Sequence, residues 1–292
     1  MRVLLIGADT SIGMALQSHL LRWGRHEVET LNLSACRWKS ERQAKKAARR
    51  GGCDAIIDAR ILACSDSGEI LHDIDIKRCH WLAKACQRSG IHYVYLSSSR
   101  VFSGRRARPY TELDEADNSE TIGELLVQAE SSVRDTCEAH LILRFGPIFS
   151  SRGINVLTHM LAQLIDGGTL ELGNNLHGCP VESMDAARVV AAVVDQVSTG
   201  ADSWGTYNYC SSDPTHCYEF AEVLLASASQ FSEFGPNSVQ LQLASEQEQL
   251  NRQLDCGLIL NTFAIKQVAW RGAVADTVKQ YFELKLQQEL SS

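Results

Sequence analysis

Apolar positions in the first half of the chain fall into short unbroken runs, separated by stretches in which they recur at helical spacing. Arg2–Ile6 is apolar after its first residue, as expected of a strand covered on both faces. Gly7-Ala-Asp-Thr-Ser-Ile-Gly13 follows, and then Met14–Trp23, whose spacing predicts an amphipathic helix. Val28–Leu33, Ala55–Asp58, Tyr93–Leu96 and Leu141–Arg144 predict four further strands, and Ile76–Ser89 and Ile122–Cys137 predict helices. Strand and helix alternate through short punctuated links. That order predicts an α/β fold with a doubly wound parallel sheet, in which ligands meet the carboxyl ends of the strands.

Past Phe145 the pattern loosens. Ile154–Ile165, Ala186–Val197 and Glu219–Ser227 predict helices, separated by the loop-forming clusters Gly167-Gly168, Gly173-Asn-Asn175 and Ser211-Ser-Asp-Pro214. The expected organisation is a dinucleotide-binding domain over 1–150, rejoined by 181–210. Residues 151–292 supply most of a smaller, interleaved lobe over the strand ends. No internal repeat or low-complexity linker interrupts the chain.

Composition narrows the function classes. Hydrophobic content of 45% and charged content of 22% are those of a soluble globular protein. The apolar runs are too short to cross a bilayer, and the first strand begins almost at Met1. The cytoplasm is therefore the expected compartment, with no membrane partner. Net charge is −7, which argues against nucleic acid. The ten cysteines form no C-x-x-C pair and have no zinc-site spacing with histidine, so reduced buried thiols and no metal are expected. One segment, Arg37–Arg50, carries seven Lys/Arg and one Glu. It reads as a solvated helix face or, through Arg37, as a contact for the 2′-phosphate of NADP.

Gly7 and Gly13 bracket a strand-to-helix turn where free N–H groups and the helix dipole favour a pyrophosphate. Thr10 stands where a three-glycine loop has its middle glycine, a residue that lets the backbone approach the ligand without an intervening Cβ. Thr10, Ser11 and Ile12 between the glycines, with Asp58 and Ala59 at the end of the third strand, are the other candidate cofactor contacts. A turn that binds nothing is the alternative. The second strand ends in Thr30-Leu-Asn-Leu-Ser34, with no carboxylate for a ribose diol, so a clean preference for NAD is not expected.

Five motifs in order then carry a family resemblance. They are Tyr95-Leu-Ser-Ser-Ser-Arg-Val-Phe102 with Gly104; Pro109-Tyr-Thr-Glu112; Leu143-Arg144; Gly178-Cys-Pro180 with Asp185-Ala-Ala187; and Leu254-Asp255 through Phe263 to Trp270-Arg271. Over nearly its whole length the chain resembles the dTDP-4-dehydrorhamnose reductases, extended short-chain dehydrogenases/reductases with a Rossmann-type domain. The resemblance implies NADP or NAD as cofactor and a nucleotide sugar as ligand, and it admits a protein partner or a homodimer. It also implies a Ser/Thr, a Tyr and a Lys four residues beyond the Tyr. The Tyr protonates the sugar carbonyl as hydride arrives, and the cation makes it a useful acid near neutrality.

On this chain the hydroxyl position is Ser98, the Tyr position Ile122 and the Lys position Leu126, while an Asn of the family falls on Asp75. No lysine occurs between Ala85 and Ile265. Tyr281 and Lys285 spell the same spacing in the terminal helix, far from Ser98. Arg100, Arg105, Arg106 and Arg108 form a basic cluster suited to phosphate, and Arg100, Arg105 and Tyr110 are the candidate substrate contacts. His177 and His216 read as loop side chains. Three readings stay open. The first is an impaired member that binds a dinucleotide or nucleotide sugar as a regulatory or scaffolding subunit, with cofactor binding weakened or lost. The second is a working reductase or epimerase whose acid has moved to Tyr110 or Tyr95 beside Arg100 or Arg105. The third is a cofactor-free interaction module.

Overall fold

The five apolar runs of the first half line up as parallel strands, and the loose second half adds a sixth. A computed structural model describes residues 1–23, 25–67, 71–231, 239–245 and 248–290. In chain order the first half comprises β1 (Arg2–Ile6), α1 (Ser11–Trp23), β2 (Glu27–Leu31), α2 (Glu41–Ala48), β3 (Ala55–Asp58) and α3 (Arg60–Ser67), then α4 (Asp73–Ser89), β4 (His92–Ser98), α5 (Thr121–Thr136) and β5 (His140–Phe145). The second half comprises β6 (Ile148–Phe149), α6 (Val156–Asp166), β7 (Gly168–Leu172), β8 (Leu176–His177), β9 (Val181–Glu182) and α7 (Ser183–Ser198). It continues with β10 (Gly205–Tyr209), α8 (Cys217–Ala228), β11 (Val239–Leu243), β12 (Leu250–Asn251), α9 (Gly257–Phe263) and α10 (Arg271–Glu289).

The central sheet runs β2-β1-β3-β4-β5-β10, parallel throughout. Order reverses at β1, with β2 on one side and β3 on the other, so the switch-point crevice opens over Gly7. Leu4–Ile6, Ile56, Ile57, Leu141–Leu143 and Phe145 are buried, as parallel strands covered by helices require. Helix α1 packs against α7, and α4 lies between α2 and α5. Helix α7 is rich in valine, which disfavours a helix in isolation. Its buried Val189, Val190, Val193, Val194 and Val197 hold it in place by packing.

The second core cluster is separate. Phe149, Leu157, Leu161, Leu164, Phe220, Leu224, Trp270, Val278 and Phe282 bring α6, α8 and α10 together. Between them β7 pairs with β11, β8 with β12 and β6 with β9, all parallel.

The departures from expectation have local causes. The second strand stops at Leu31, because Asn32 opens a 3₁₀ turn and the Asp9 carboxylate takes the N–H of Leu33 at 2.8 Å. Helix α3 was not predicted. The Gly167-Gly168 cluster, expected as loop, ends α6 and starts β7, with both glycines at positive φ (80° and 92°). Strand β10 was hidden in the looser half. Helix α6 begins at Val156 because Asn155 caps it, its Oδ1 accepting from Leu157 and Thr158 N–H.

Seven of the ten cysteines are buried, and burial pushes the Cys36 and Cys79 thiols up to about 12. No helix among the described residues is long and apolar enough to cross a membrane. No described group of three or more His, Cys, Asp or Glu could hold a metal.

Candidate functional site

Strand β4 ends at Ser98, and the chain turns at once into a 3₁₀ segment, Ser99–Val101. Ser98 caps it, its Oγ accepting from the Arg100 N–H at 3.3 Å. Ser98 and Arg100 form one end of a cleft of about 290 Å³. The opposite wall comes from the second core cluster through Val156, Met160 and Phe220, and the rim from His177, His216 and Arg252. Arg252 is 8% exposed; its Nη2 donates to Glu120 Oε1 at 3.2 Å and, at 3.5 Å, to Ser103 O, and its Nε has no partner. His216 caps α8, its Nδ1 accepting from the Glu219 N–H at 3.2 Å, and its ring meets that of His177 edge-on at 5.4 Å.

Outside the lining of this cleft, the two positions to which the resemblance assigns an acid and its cation are apolar. Ile122 packs against the main core and Leu126 is fully buried in it. One turn beyond Leu126, Glu130 is buried with Arg144 (Nη2–Oε2 2.6 Å) and accepts from Ser97 Oγ at 2.6 Å.

The Gly7–Gly13 loop satisfies itself. Thr10 Oγ1 donates to Gly7 O at 2.6 Å and accepts from the Gly13 N–H at 3.0 Å. A Cβ on Gly13 would overlap Gly7 O, so glycine there serves helix–strand packing. Ile12 is in the core. Gly153, at φ +71°, comes so close to Ser11 that a Cβ on it would stand 2.6 Å from Ser11 Oγ. Asp58 is fully buried and committed elsewhere. It accepts from Arg60 Nε (2.9 Å), Arg60 Nη2 (2.7 Å) and the Tyr93 hydroxyl (2.8 Å). Ala59 is equally buried, its N–H donating to Ile6 O. Arg37 is exposed at the end of the 3₁₀ turn after β2. Trp38 beside it is covered by Arg60 at 5.4 Å. Asp9, which no motif marks, brings a carboxylate to the end of β2, where Thr30–Ser34 offers none.

A family model described as RmlD substrate binding domain matches residues 1–283. The chain belongs to this family. A dTDP-4-dehydrorhamnose reductase of Sinorhizobium fredii is 24% identical over 289 residues, covering 92% of this chain and 94% of the relative. The reductase structure from Clostridium acetobutylicum superposes with TM-score 0.79 at 19% identity, covering 96% of this chain and 99% of that one. The Bacillus anthracis enzyme in complex with NADP gives TM-score 0.79 at 17% identity, covering 96% and 98%.

Tyr110, expected at the substrate and as a relocated acid, is fully buried. Its hydroxyl accepts from the Gly104 and Arg106 N–H groups (3.1 and 3.3 Å), and its ring stacks on Phe102 at 4.1 Å, so it anchors a loop. Tyr95 is fully buried with no hydroxyl partner, and burial pushes its pKa well above 10. Arg105 lies outside the cleft lining, 3.8 Å from Glu248. Arg106 and Arg108 both pair with Asp114 (3.3 and 2.7 Å). Asp75 caps α4 and pairs with Arg78 at 2.7 Å. Tyr281, partly buried, packs against the second core cluster. Arg252, three residues before the Asp255 of the closing motif, carried no recognisable signal in the sequence.

The Arg108–Asp114 clamp makes an acid-sensitive loop. The Arg108 hydrogen bonds, followed by those of Thr111, hold the Asp114 carboxyl well below the usual carboxylate range. A depressed folded pKa means that the contribution is complete above about pH 4 and is lost as pH falls below it. The stability gap between wild type and Asp114→Asn is therefore expected to be constant near neutrality and to close below about pH 4, read as paired urea midpoints.

Proposed function

We propose that the protein binds a nucleotide-sugar-type ligand in the Ser98 cleft and serves as a regulatory or binding subunit that does not transfer hydride. The observation that carries this reading is the pair Ile122 and Leu126, apolar side chains packed into the core where the family has a proton donor and its cation. A general acid contributes on the order of 10²–10⁴-fold to rate, and neither tyrosine considered as a substitute reaches the cleft. Family membership and relatives named as dTDP-4-dehydrorhamnose reductases support a nucleotide sugar as the ligand class.

The residues present do not fit a tightly held dinucleotide. The Gly13 N–H is already taken by Thr10 Oγ1, Thr10 puts a side chain where close backbone approach is needed, and Gly153 lies against Ser11. The Asp9 carboxylate beside the end of β2 adds repulsion toward a 2′-phosphate.

Calorimetric titration with NADPH and NADH tests the reading. No binding, or binding weaker than about millimolar, is expected for either cofactor, a loss of several kcal/mol relative to a micromolar site. Micromolar binding, with NADPH oxidised in the presence of a 4-keto nucleotide sugar, would overturn it.

A further inference from the structure

Among its described residues the Ser98 cleft is lined by two arginines and two histidines, and by no aspartate or glutamate, in a chain of net charge −7. Arg252 dominates this asymmetry. Its stem runs past Gly104, where a Cβ would come within 3.2 Å of Arg252 Cγ. Its backbone N–H donates to His177 O at 2.7 Å, which ties it to the cleft rim. The guanidinium reaches Glu120, two residues before Ile122, and is 91% buried at the side-chain level. Glu120 is a weak counter-ion, 58% exposed at 3.2 Å, and Arg252 Nε is buried without any partner. A buried, incompletely hydrogen-bonded guanidinium is costly unless something satisfies it. His216 adds to the same rim at the N-terminal end of α8, a twelve-residue helix whose dipole is positive there.

We propose that Arg252 is the specificity-determining residue of the cleft and reads an oxyanion on the ligand, a phosphate or a sugar carboxylate, beside the vacated Tyr position. The site thus selects a charged group next to Ser98, in place of the neutral carbonyl that a Tyr and Lys would serve. This rests on the cleft being the ligand site, and it is independent of whether hydride transfer is lost.

Thermal unfolding at constant ionic strength, with chloride replaced by inorganic phosphate or by D-glucuronate and with D-glucose as the neutral control, tests the assignment. At tens of millimolar, at least one oxyanion raises the midpoint of the wild type and glucose does not. Phosphate alone identifies a diphosphate reader; glucuronate points to an acidic sugar. Arg252→Gln weakens the apparent affinity by roughly tenfold or more. Glu120→Gln, which frees the guanidinium of its carboxylate, strengthens it, an outcome that a misfolded variant cannot mimic. Equal midpoints in chloride and both oxyanions, or the same response in Arg252→Gln as in wild type, overturn the proposal. No nucleotide enters this assay, so its failure and that of the hydride reading are separable.

Discussion

Substituting lysine for Leu126 is expected to cost roughly 4–7 kcal/mol of stability, the equivalent of a 3–5 unit pKa displacement of a buried amine. Leu126 is fully buried, and one turn away lies the closed Glu130–Arg144 pair, so the new ammonium has no free counter-ion within the same helix face. Ile122→Tyr is gentler, because Ile122 is only half-buried. The double variant Ile122→Tyr/Leu126→Lys restores the letters of the family's pair. It is expected to be less stable than wild type by about the cost of the lysine alone, and to oxidise no NADPH. Urea unfolding gives the first quantity and a coupled absorbance assay the second. A double variant as stable as wild type would mean that the α5–β4 boundary accommodates the polar pair and that Leu126 is not sealed into the core.

Glu130→Leu is expected to cost about 3–5 kcal/mol, a shift of the thermal midpoint on the order of 10 °C. Arg144 is 3% exposed, stacks its guanidinium over Phe102 at 5.0 Å and already leaves Nη1 without a partner, so loss of the carboxylate strands a buried charge. Glu130→Leu/Arg144→Met removes both charges. It should recover most of that loss, because the desolvation of the pair offsets much of its attraction. If the single variant proves as stable as wild type, the ion pair contributes nothing net and α5 is held by its leucines alone.

The sheet was legible because buried parallel strands write themselves as unbroken apolar runs, and Arg2–Ile6 or Leu141–Arg144 admit few other readings. Strand β10, Gly205-Thr-Tyr-Asn-Tyr209, was not legible. Two of its five residues are only partly buried, and Asn208, fully buried, donates its Nδ2 to Tyr110 O in a contact made across 98 residues of sequence. The site divides in the same way. Motif spacing put apolar Ile122 and Leu126 four residues apart on one helix, and the structure packs Leu126 into the main core with half-buried Ile122 against it. Tyr110 misled because a tyrosine in a polar motif looks available, whereas its hydroxyl is occupied by two backbone N–H groups. Arg252 and Asp9 were missed for one reason. Each acts on a segment remote in sequence, Arg252 on Glu120 and Asp9 on Leu33, so no local pattern marks either.

The sheet closes only when residues 205–209 dock on β5. On the ribosome β5 is finished while residues 146–204 are still to be made, a delay of about 3–12 s at ~5–20 residues per second. Throughout that interval the edge of His140-Leu-Ile-Leu-Arg-Phe145, buried along its whole length in the finished protein, has no strand beside it. An unpaired apolar edge of this kind is a template for intermolecular pairing. The segment that supplies Val156, Met160 and His177 to the cleft therefore also sets the length of time for which the nascent chain needs protection from its neighbours.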